Sequence, residues 1–367
     1  DASRRVEALS LHELPSRPRG LRWQVHHRPA GVAGLITPWN FPLGMLAKKL
    51  SGALAAGCPS VVKPAEQTPL TTVALFALLH RLGLPAGQVN LLFGDAAAIG
   101  RVLCERPEVR VLSFTGSTSV GKLLAAQCAP HVKRLALELG GNAPFVVFED
   151  ADLDVTLKEL MANKFRCAGQ TCVCTNRVLV AEPIADAFAE RVRAAVAQLR
   201  VGPGDQPGTD VGPLIDRRGF EKVVGIVADA RDKGAQVLAG GDPAPQAGCF
   251  YPPTVVTGVT ADMRCLQEEV FGPVVPISTF KDEAEALRAA NDTVYGLAAY
   301  VFTQDPARAQ RFAAGLHFGH VGLNTATGPT PEAPFGGMGQ SGIGREGGLE
   351  GILEFVELQT VPLGPGL

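Results

Sequence analysis

One cysteine has the sequence setting of a catalytic nucleophile. Cys172 lies in the segment 167–174, where Gly169 interrupts the preceding helical pattern. A thiol at such a break can be exposed to a substrate, and nearby backbone amides favour its thiolate form. A buried structural cysteine is the alternative, because free cysteines are usually core residues. No metal site is expected, since Cys172 and Cys174 have no second pair at zinc-ligand spacing and no nearby histidine.

One glutamate has the sequence setting of a general base. Glu138 follows the apolar residues 135–137 and precedes Gly140 and Gly141, where its strand reaches the carboxyl edge of a sheet. Ligands of open α/β sheets bind at that edge. A partly desolvated carboxylate there can have a raised pKa and accept a proton. A helix cap or an ion-paired glutamate is the alternative.

A glycine-rich segment, 116–122 (GSTSVGK), follows one predicted strand and opens a predicted helix. Its amides and the positive end of the helix dipole suit a phosphate group. The segment also fits most of a P-loop, but Leu123 stands where the magnesium-binding hydroxyl is needed. Binding of a nucleoside triphosphate is therefore the weaker interpretation, and a turn without a ligand is a further alternative.

Two charged residues close another predicted strand. The carboxylate of Glu66, near Lys63, can accept hydrogen bonds from both hydroxyls of an adenosine ribose. It would repel a 2′-phosphate, which favours NAD over NADP. An ordinary exposed ion pair is the alternative. The functional interpretation gains weight because several such residues fall at the ends of predicted parallel strands. These are Asn40, Lys63, Glu66, Gly116 and Glu138.

Short β-branched runs that alternate with helical patterns predict a parallel sheet built from βαβ units. The predicted strands are 31–36, 60–63, 89–93, 109–114 and 134–138. Pro42 suits the first turn of a helix that ends at Gly57, and Pro69 suits one that ends at Gly83. This part of the chain is therefore predicted to be a doubly wound, Rossmann-type nucleotide-binding domain.

A second α/β domain is predicted from the strand 145–148 onward. Alternating segments near the two ends of the chain have the pattern of half-exposed strands, which we expect to pair with each other or with a partner chain. The boundaries predicted from these patterns are a hairpin segment at 1–28, a nucleotide-binding domain at 29–139, an α/β domain at 140–339, and a C-terminal segment with a strand at 340–367.

The composition excludes several classes of protein. The formal net charge is −2 at pH 7, so no nucleic-acid partner is expected. With 46% hydrophobic and 19% charged residues, the chain is not disordered. No apolar run reaches the roughly 18 residues of a membrane-spanning helix, so no membrane partner is expected. Eight cysteines are few for a disulfide scaffold, and no targeting signal is visible, so we expect a reducing, cytoplasmic compartment.

Seven motifs resemble those of the aldehyde dehydrogenase superfamily and stand in the same order. They are 36–42 (ITPWNFP), 63–69 (KPAEQTP), 114–118 (FTGST), 138–141 (ELGG), 169–172 (GQTC), 268–273 (EEVFGP) and 334–337 (PFGG). The resemblance covers essentially the whole chain. Residues 164–166, together with Cys172 and Cys174, look like the catalytic loop of the succinate-semialdehyde dehydrogenase branch.

The resemblance implies an α/β fold with a Rossmann-type, NAD-binding domain at 29–139 and a catalytic α/β domain at 140–339. It also implies a β-strand oligomerisation arm, formed by an oligomerisation hairpin at 1–28 and an oligomerisation strand in 340–367, and NAD(P)-dependent oxidation of an aldehyde to an acid. Cys172 would form a thiohemiacetal and then a thioester, Asn40 and the Cys172 backbone amide would hold the oxyanion, and Glu138 would activate the hydrolytic water. The implied partners are a small aldehyde and further copies of the chain in a homodimer or homotetramer.

The resemblance also implies a cofactor site and a substrate site. NAD is the expected cofactor, with NADP second. Lys63 and Glu66 would hold the adenosine ribose, and Ser117 the pyrophosphate. The full cofactor set is Trp39, Lys63, Glu66, Gly116, Ser117, Gly121, Leu139, Glu269 and Phe271, and the substrate set is Arg166, Lys48, Thr330 and Phe335.

The sequence departs from the family in two respects. Members usually begin further upstream, with helices that cover the nucleotide domain, so an inactive, N-terminally truncated piece is an alternative to an active enzyme. Arg166 matches one carboxylate-binding arginine of the branch, but Lys48 stands at the second and Thr330 near its serine. Lysine keeps the charge and loses the two-donor fork. We expect a semialdehyde such as succinate semialdehyde as the substrate.

Cys174 is a candidate redox residue. It lies two residues from the predicted nucleophile, and the resemblance suggests that it forms a reversible disulfide with Cys172 under oxidation. The alternative is a small residue packed under the loop, because such closely spaced pairs are geometrically strained.

Overall fold

The computed structural model describes residues 2–14, 21–244 and 248–366, which form two compact units. Unit 1 contains the described residues of 2–139, 329–336 and 342–367, and unit 2 contains those of 140–328 and 337–341. The sequence analysis assigned 329–336 to the second domain. This segment belongs to unit 1, where the backbones of Phe335 and Glu346 exchange two hydrogen bonds of 2.7 Å.

The strands of the described chain are, in order, β1 (His12–Leu14), β2 (Arg22–Pro29), β3 (Val32–Ile36), β4 (Ser60–Lys63), β5 (Val89–Leu91), β6 (Val109–Thr115), β7 (Arg134–Glu138), β8 (Ala143–Val147), β9 (Thr175–Ala181), β10 (Gln236–Ala239), β11 (Thr254–Thr257), β12 (Val274–Phe280), β13 (Ala298–Phe302), β14 (His320–Leu323), β15 (Gly342–Ile343) and β16 (Val356–Leu363).

The α-helices are α1 (Ala2–Arg5), α2 (Pro42–Ala55), α3 (Pro69–Arg81), α4 (Ala96–Glu105), α5 (Thr118–Cys128), α6 (Leu153–Phe165), α7 (Ala185–Val196), α8 (Arg217–Asp232), α9 (Arg264–Gln267), α10 (Glu283–Asn291), α11 (Pro306–Gly315) and α12 (Glu350–Leu353). Short 3-10 turns occupy Val6–Leu9, Ala129–His131, Arg166–Gly169, Glu182–Ile184 and Gly339–Ser341.

The larger sheet of unit 1 has the order β15-β7-β6-β3-β4-β5. Strands β3 to β7 are parallel, and β15 adds an antiparallel edge. The chain winds outward from β3 to β5 on one side and from β6 to β7 on the other, so the strand order reverses between β3 and β6. Such a reversal opens a crevice at the carboxyl ends of the strands. The α/β fold with a Rossmann-type sheet is confirmed.

Local sequence explains where several helices that connect the strands of this sheet begin. Helices α2 and α3 begin at the predicted prolines, and the side chain of Ser117 caps α5 by accepting a hydrogen bond from the Val120 backbone amide. Strand β5 is shorter than predicted and ends at Leu91, the residue that pairs with Val62 of β4.

A second sheet of unit 1 joins the two ends of the described chain. Its order is β1-β2-β16, and β16 pairs antiparallel with β2 from Val356 opposite Pro29 to Leu363 opposite Arg22. The two half-exposed strands predicted near the chain ends therefore pair with each other. Residues 15–20 of the predicted oligomerisation hairpin lie outside the described residues, and its role in assembly stays a prediction.

Unit 2 is built on a seven-stranded sheet with the order β10-β11-β12-β9-β8-β13-β14, in which only the β10 edge is antiparallel. Its core includes the fully buried side chains of Phe145, Val178 and Tyr300, which come from three adjacent strands. The segment between α6 and β9 therefore has a rigid element on each side. No helix in the described part of the chain is long and apolar enough to cross a membrane.

We predict that Gly121→Ala destabilises unit 1 by about 1–3 kcal/mol, because a Cβ at this buried position of α5 would overlap the Leu139 side chain. Gly100→Ala in α4 is the matched control. Its Cβ would lie 3.4 Å from the nearest atom of Leu124, so it should be neutral or stabilising by up to about 1 kcal/mol. Urea unfolding followed by circular dichroism measures both, and equal losses would contradict the packing role of Gly121.

Candidate active site

The loop that carries Cys172 has an unusual backbone. Cys167 and Ala168 have φ values of 52° and 53°, and Gly169 follows at 75°. Left-handed conformations of non-glycine residues cost of order 1–3 kcal/mol each, so surrounding contacts must hold this loop. A side chain at Gly169 would also collide with the carbonyl oxygen of Gly272. The predicted break at this glycine is present, and Cys172 lies beyond it, partly exposed.

Buried side chains hold both ends of this loop. Asn163 Oδ1 accepts hydrogen bonds from the backbone amide and the hydroxyl of Thr175, at 2.7 and 2.9 Å. The Tyr300 hydroxyl donates to the Val173 carbonyl oxygen at 2.7 Å. On the other side, Gln170 donates to the Cys167 carbonyl oxygen and accepts from the Ile215 amide. The loop is therefore fixed before any substrate arrives.

Gly141 explains part of one motif. A Cβ at this position would collide with the backbone carbonyl oxygen of Cys172, so only glycine lets the segment before β8 pass so close to the loop. The amide of Gly141 donates to Glu269 Oε1 at 3.0 Å. Gly141 therefore contacts both the predicted nucleophile and a predicted cofactor residue.

Cys174 is packed beneath the loop. Its thiol donates to the carbonyl oxygens of Thr175 and Lys164, and burial raises its pKa. The Lys164 ammonium group is also buried and donates to the Thr175 carbonyl oxygen at 2.8 Å, and burial lowers its pKa. None of the described cysteines forms a disulfide. The redox pairing of Cys172 with Cys174 stays a prediction.

Three other predicted residues lie in unit 2 with Cys172. Burial raises the pKa of Glu269 to about 7, against an ordinary value of 4.5, although the Gly141 amide favours its charged form. Phe271 has a left-handed φ of 54°. Arg166 is exposed at the start of the loop.

In unit 1, Glu138 is a buried carboxylate at the last position of β7. It is 4% exposed, and neither carboxyl oxygen has a hydrogen-bond partner among the described residues. Burial raises the pKa of Glu138 well above its ordinary value, Glu346 raises it further, and Lys49 lowers it. A Cβ at Gly336 would lie 2.8 Å from Glu138 Oε1, so the glycine leaves room for the carboxylate. The group has the environment of a proton acceptor of raised basicity.

The predicted nucleotide residues of unit 1 follow its strands. Trp39 and Asn40 lie half-buried after β3, and Lys63, buried at the end of β4, forms an ion pair with the exposed Glu66. Gly116 leads from β6 to the exposed Ser117 at the N-terminus of α5. The N-terminus of α5 follows β6 and the exposed carboxylate follows β4, which are the two neighbours of β3 in the sheet, and these two features fit the phosphates and a ribose of a dinucleotide.

The other predicted residues of unit 1 have different surroundings. Gly121 and Leu139 pack against each other, and the Lys48 ammonium group lies 4.8 Å above the Phe335 ring. Thr330 is exposed and hydrogen-bonds the carboxylate of Glu332, which lowers the pKa of that group. Unit 1 therefore holds Lys48, Thr330 and Phe335, whereas Arg166 belongs to unit 2.

Comparison with known proteins identifies the family. The model of the aldehyde dehydrogenase family matches residues 2–361. The 3-sulfolactaldehyde dehydrogenase of Pseudomonas putida is 48% identical over 351 residues, which are 96% of this chain and 72% of that protein. The succinate-semialdehyde dehydrogenase [NADP(+)] GabD of Escherichia coli (strain K12) is 47% identical over 351 residues, which are 96% of this chain and 73% of that protein. A crystal structure of an oxidoreductase from Marinobacter aquaeolei has a TM-score of 0.97 at 59% identity, over 99% of this chain and 76% of that one.

The chain belongs to the aldehyde dehydrogenase family. It is an NAD(P)-dependent oxidoreductase that acts on aldehydes, as the seven motifs predicted. The comparisons give no support to a P-loop NTP-binding protein or to an inactive derivative of the family.

Sequence reasoning missed a buried ion pair in this aldehyde dehydrogenase. Lys49, on the buried face of α2, donates to Glu346 Oε1 at 2.6 Å and to Ser113 Oγ at 3.0 Å. A lysine three residues after the buried Leu46 was the available signal, because a charged residue on an apolar helix face needs a partner. The partner could not be read from the sequence, since 297 residues separate the two.

We predict that Glu269→Gln changes the pH dependence of stability. The native pKa lies above that of the unfolded chain, so the unfolded state loses this proton first and the parent protein loses stability as the pH rises from 4.5 to 7. The glutamine variant should lack this loss. Urea unfolding at a series of pH values measures the difference between the two proteins.

Glu268→Gln is the matched control, because the neighbouring Glu268 has its pKa lowered by hydrogen bonds from Arg264. The stability that Glu268 contributes is present above its unfolded pKa and disappears as the pH falls through its native pKa. As the pH rises, the free energy of unfolding of Glu269→Gln relative to the parent should therefore increase, whereas that of Glu268→Gln should decrease. If both variants showed the same pH dependence of unfolding as the parent, the raised pKa of Glu269 would be contradicted.

Proposed function

We propose that this aldehyde dehydrogenase oxidises an anionic semialdehyde of the succinate-semialdehyde class to the dicarboxylic acid, with NAD as the preferred cofactor. The observation that carries the chemistry is the partly exposed thiol of Cys172 in a loop that buried side chains hold at both ends. The names of the two relatives compared above denote aldehydes with an acidic group at the far end, which supports the substrate class.

Cys172 is the proposed nucleophile. Its thiolate adds to the aldehyde carbon, a carbon–sulfur bond forms, and the carbonyl electrons move to oxygen to give a thiohemiacetal oxyanion. The Asn40 side-chain amide and the Cys172 backbone amide are the proposed donors to that oxyanion. Loss of a hydride from the former aldehyde carbon then restores the carbonyl group and leaves a thioester on Cys172; NAD(P), when bound, would supply the acceptor for that hydride.

Glu138 is the proposed base for hydrolysis. Its carboxylate takes a proton from water, the hydroxide oxygen adds to the thioester carbon, and the carbon–sulfur bond breaks to release the acid and the Cys172 thiolate. Only the ionised form can accept the proton. The positive charge of Lys49 favours that form against the burial and the Glu346 charge that oppose it.

NAD is the proposed cofactor because of Glu66. Its carboxylate is exposed and forms an ion pair with the buried Lys63. It can therefore accept hydrogen bonds from the hydroxyls of a ribose, and it repels a phosphate group at the same place. Gly116 and Ser117 at the N-terminus of α5 are proposed to bind the pyrophosphate, and Glu269 the nicotinamide ribose. Trp39, Gly121, Leu139 and Phe271 complete the proposed cofactor set.

Four residues are proposed to select the substrate. Arg166 and Lys48 would attract the distal carboxylate, and Phe335 holds the Lys48 ammonium group by a cation–π contact. Thr330 would donate a hydrogen bond from its hydroxyl group to the same carboxylate. A lysine offers a point charge in place of a two-donor fork, so we expect this chain to accept anions of more than one geometry.

The proposed assembly is a homodimer or homotetramer. Strand β16 forms one edge of the β1-β2-β16 sheet, and an edge strand of eight residues offers backbone groups to another chain.

We predict that NADH forms when the protein is mixed with NAD and succinate semialdehyde, and that Cys172→Ala forms none. Glu138→Gln should give a rapid burst of NADH that then stops, because hydride transfer precedes the hydrolysis that needs Glu138. Stopped-flow absorbance of NADH measures all three proteins. Benzaldehyde and hexanal are the neutral comparison substrates, and equal turnover on them would contradict an anionic substrate. Turnover by Cys172→Ala would overturn the proposed nucleophile.

We predict that Glu66→Ser raises the ratio of kcat/KM for NADP to that for NAD by about tenfold or more, because the variant removes a charge that repels the 2′-phosphate. Steady-state kinetics with both cofactors gives the ratio. Glu108→Ser is the matched control, since Glu108 is an exposed glutamate of the same unit, paired with Arg106 before β6. A ratio that Glu66→Ser leaves at the parent value would show that another group selects the cofactor.

A further inference from the structure

We propose that Asn176 is a positioning residue for hydride transfer, acting with Asn142 to hold Glu269 against the nicotinamide end of the cofactor. The inference rests on the proposed role of Glu269 and deepens it. Neither asparagine touches the reacting atoms in this proposal. Both act through the backbone of the segment 265–270.

The Asn176 side chain contacts the backbone on both sides of Glu269. Its Nδ2 donates to the Glu268 carbonyl oxygen at 3.0 Å, and its Oδ1 accepts from the Val270 amide at 2.8 Å. Asn176 is 3% exposed. One buried amide group therefore fixes the two peptide units that flank Glu269.

Asn142 extends this contact. Its Oδ1 accepts from Asn176 at 2.6 Å, and its Nδ2 donates to the Leu266 carbonyl oxygen at 2.8 Å. Asn142 is fully buried, and Arg177 donates to its carbonyl oxygen at 3.1 Å. Asn176 also donates to the Cys265 carbonyl oxygen at 3.2 Å. We call Asn142 and Asn176 the asparagine clamp.

The held segment needs such a clamp because it is irregular. Helix α9 ends at Gln267, with a last helical bond from the Glu268 amide to the Arg264 carbonyl oxygen at 2.8 Å, and β12 begins at Val274, so the two peptide units that flank Glu269 lie outside regular helix and sheet. Phe271 adds a left-handed turn. Buried backbone groups must then bond to side chains, and the clamp supplies those bonds.

The clamp also joins the three parts of the site in unit 2. Asn142 follows Gly141, whose amide binds the Glu269 carboxyl group and whose Cα lies against the Cys172 carbonyl. Asn176 is the second residue of β9, four residues after Cys172. The residues that set the direction of the Glu269 side chain therefore lie just before β8 and at the start of β9, the strand that follows the nucleophile loop.

The test uses the intact protein and two reactions of Cys172. Aldehyde oxidation needs the cofactor, whereas hydrolysis of an activated ester such as p-nitrophenyl acetate forms and breaks a thioester without hydride transfer. We expect Asn176→Ala to raise KM for NAD and lower kcat of aldehyde oxidation by about tenfold each, since buried hydrogen bonds are lost. Ester hydrolysis should fall by far less. Asn176→Asp keeps the acceptor for Val270 and, in its protonated form, one donor toward the oxygens that the Asn176 amide group binds, so it should recover part of the loss.

Two other asparagines of unit 2, the buried Asn163 and the half-buried Asn291, provide the comparisons. Asn163→Ala removes the contacts that hold the nucleophile loop, so both reactions should fall together. Asn291→Ala removes a side chain that bridges Gly315 and His317 outside the site, and both reactions should stay at the parent rate. Equal losses of oxidation and ester hydrolysis in Asn176→Ala would overturn the proposal. If Asn176→Ala does not fold, Asn176→Asp alone decides the proposal: aldehyde oxidation must fall more than ester hydrolysis.

A double-variant cycle separates this inference from the role of Glu269. If Asn176 acts through Glu269, Asn176→Ala should add little to the KM for NAD of Glu269→Gln. Fully additive effects would overturn the inference while leaving the role of Glu269 intact. An unchanged KM in Glu269→Gln would instead refute the role of Glu269, and with it this inference, without affecting Cys172 as nucleophile.

Discussion

Buried side-chain amides that bond to irregular backbone are the interaction on which unit 2 depends. Its reactive residues lie between regular elements, where neither helix nor sheet pairing satisfies the peptide groups. Asn163, Gln170 and Asn176 supply those partners. An unsatisfied buried peptide group costs about 1–3 kcal/mol, so each amide keeps its segment in one conformation. The left-handed residues before Cys172 persist for the same reason.

Unit 1 solves a different problem, because it buries charge. Lys49 and Glu346 are paired inside the unit, and Glu138 is buried nearby without a hydrogen-bond partner among the described residues. Burying a carboxylate without a partner is unfavourable and raises its affinity for a proton. The β-sheet can accommodate this cost because β7 is held by β6 on one side and β15 on the other. The stability of the sheet thus maintains a group with altered basicity.

The sequence predicted what depends on local pattern and motif order. Strands β4 and β7 have the predicted bounds, helices α2 and α3 begin at the predicted prolines, and the break at Gly169 is present. What it did not predict depends on contacts distant in sequence. Glu346 meets Lys49 across 297 residues, and Asn176 meets Val270 across 94. A lone asparagine or lysine in a strand or helix carries no sign of its partner.

The left-handed backbone at Cys167 has a consequence for chemical probes. Cys167 is exposed and lies five residues before Cys172, so an electrophile aimed at the nucleophile meets a second accessible thiol in the same loop. Partial desolvation raises the pKa of the Cys167 thiol, which reduces its thiolate fraction at neutral pH. Covalent labels should therefore be applied briefly and well below that raised pKa, which limits the labelling of Cys167. Cleavage after Arg166 and Arg177 leaves both thiols in one tryptic peptide, so fragment-ion sequencing of that peptide has to assign the label before inactivation is attributed to either residue.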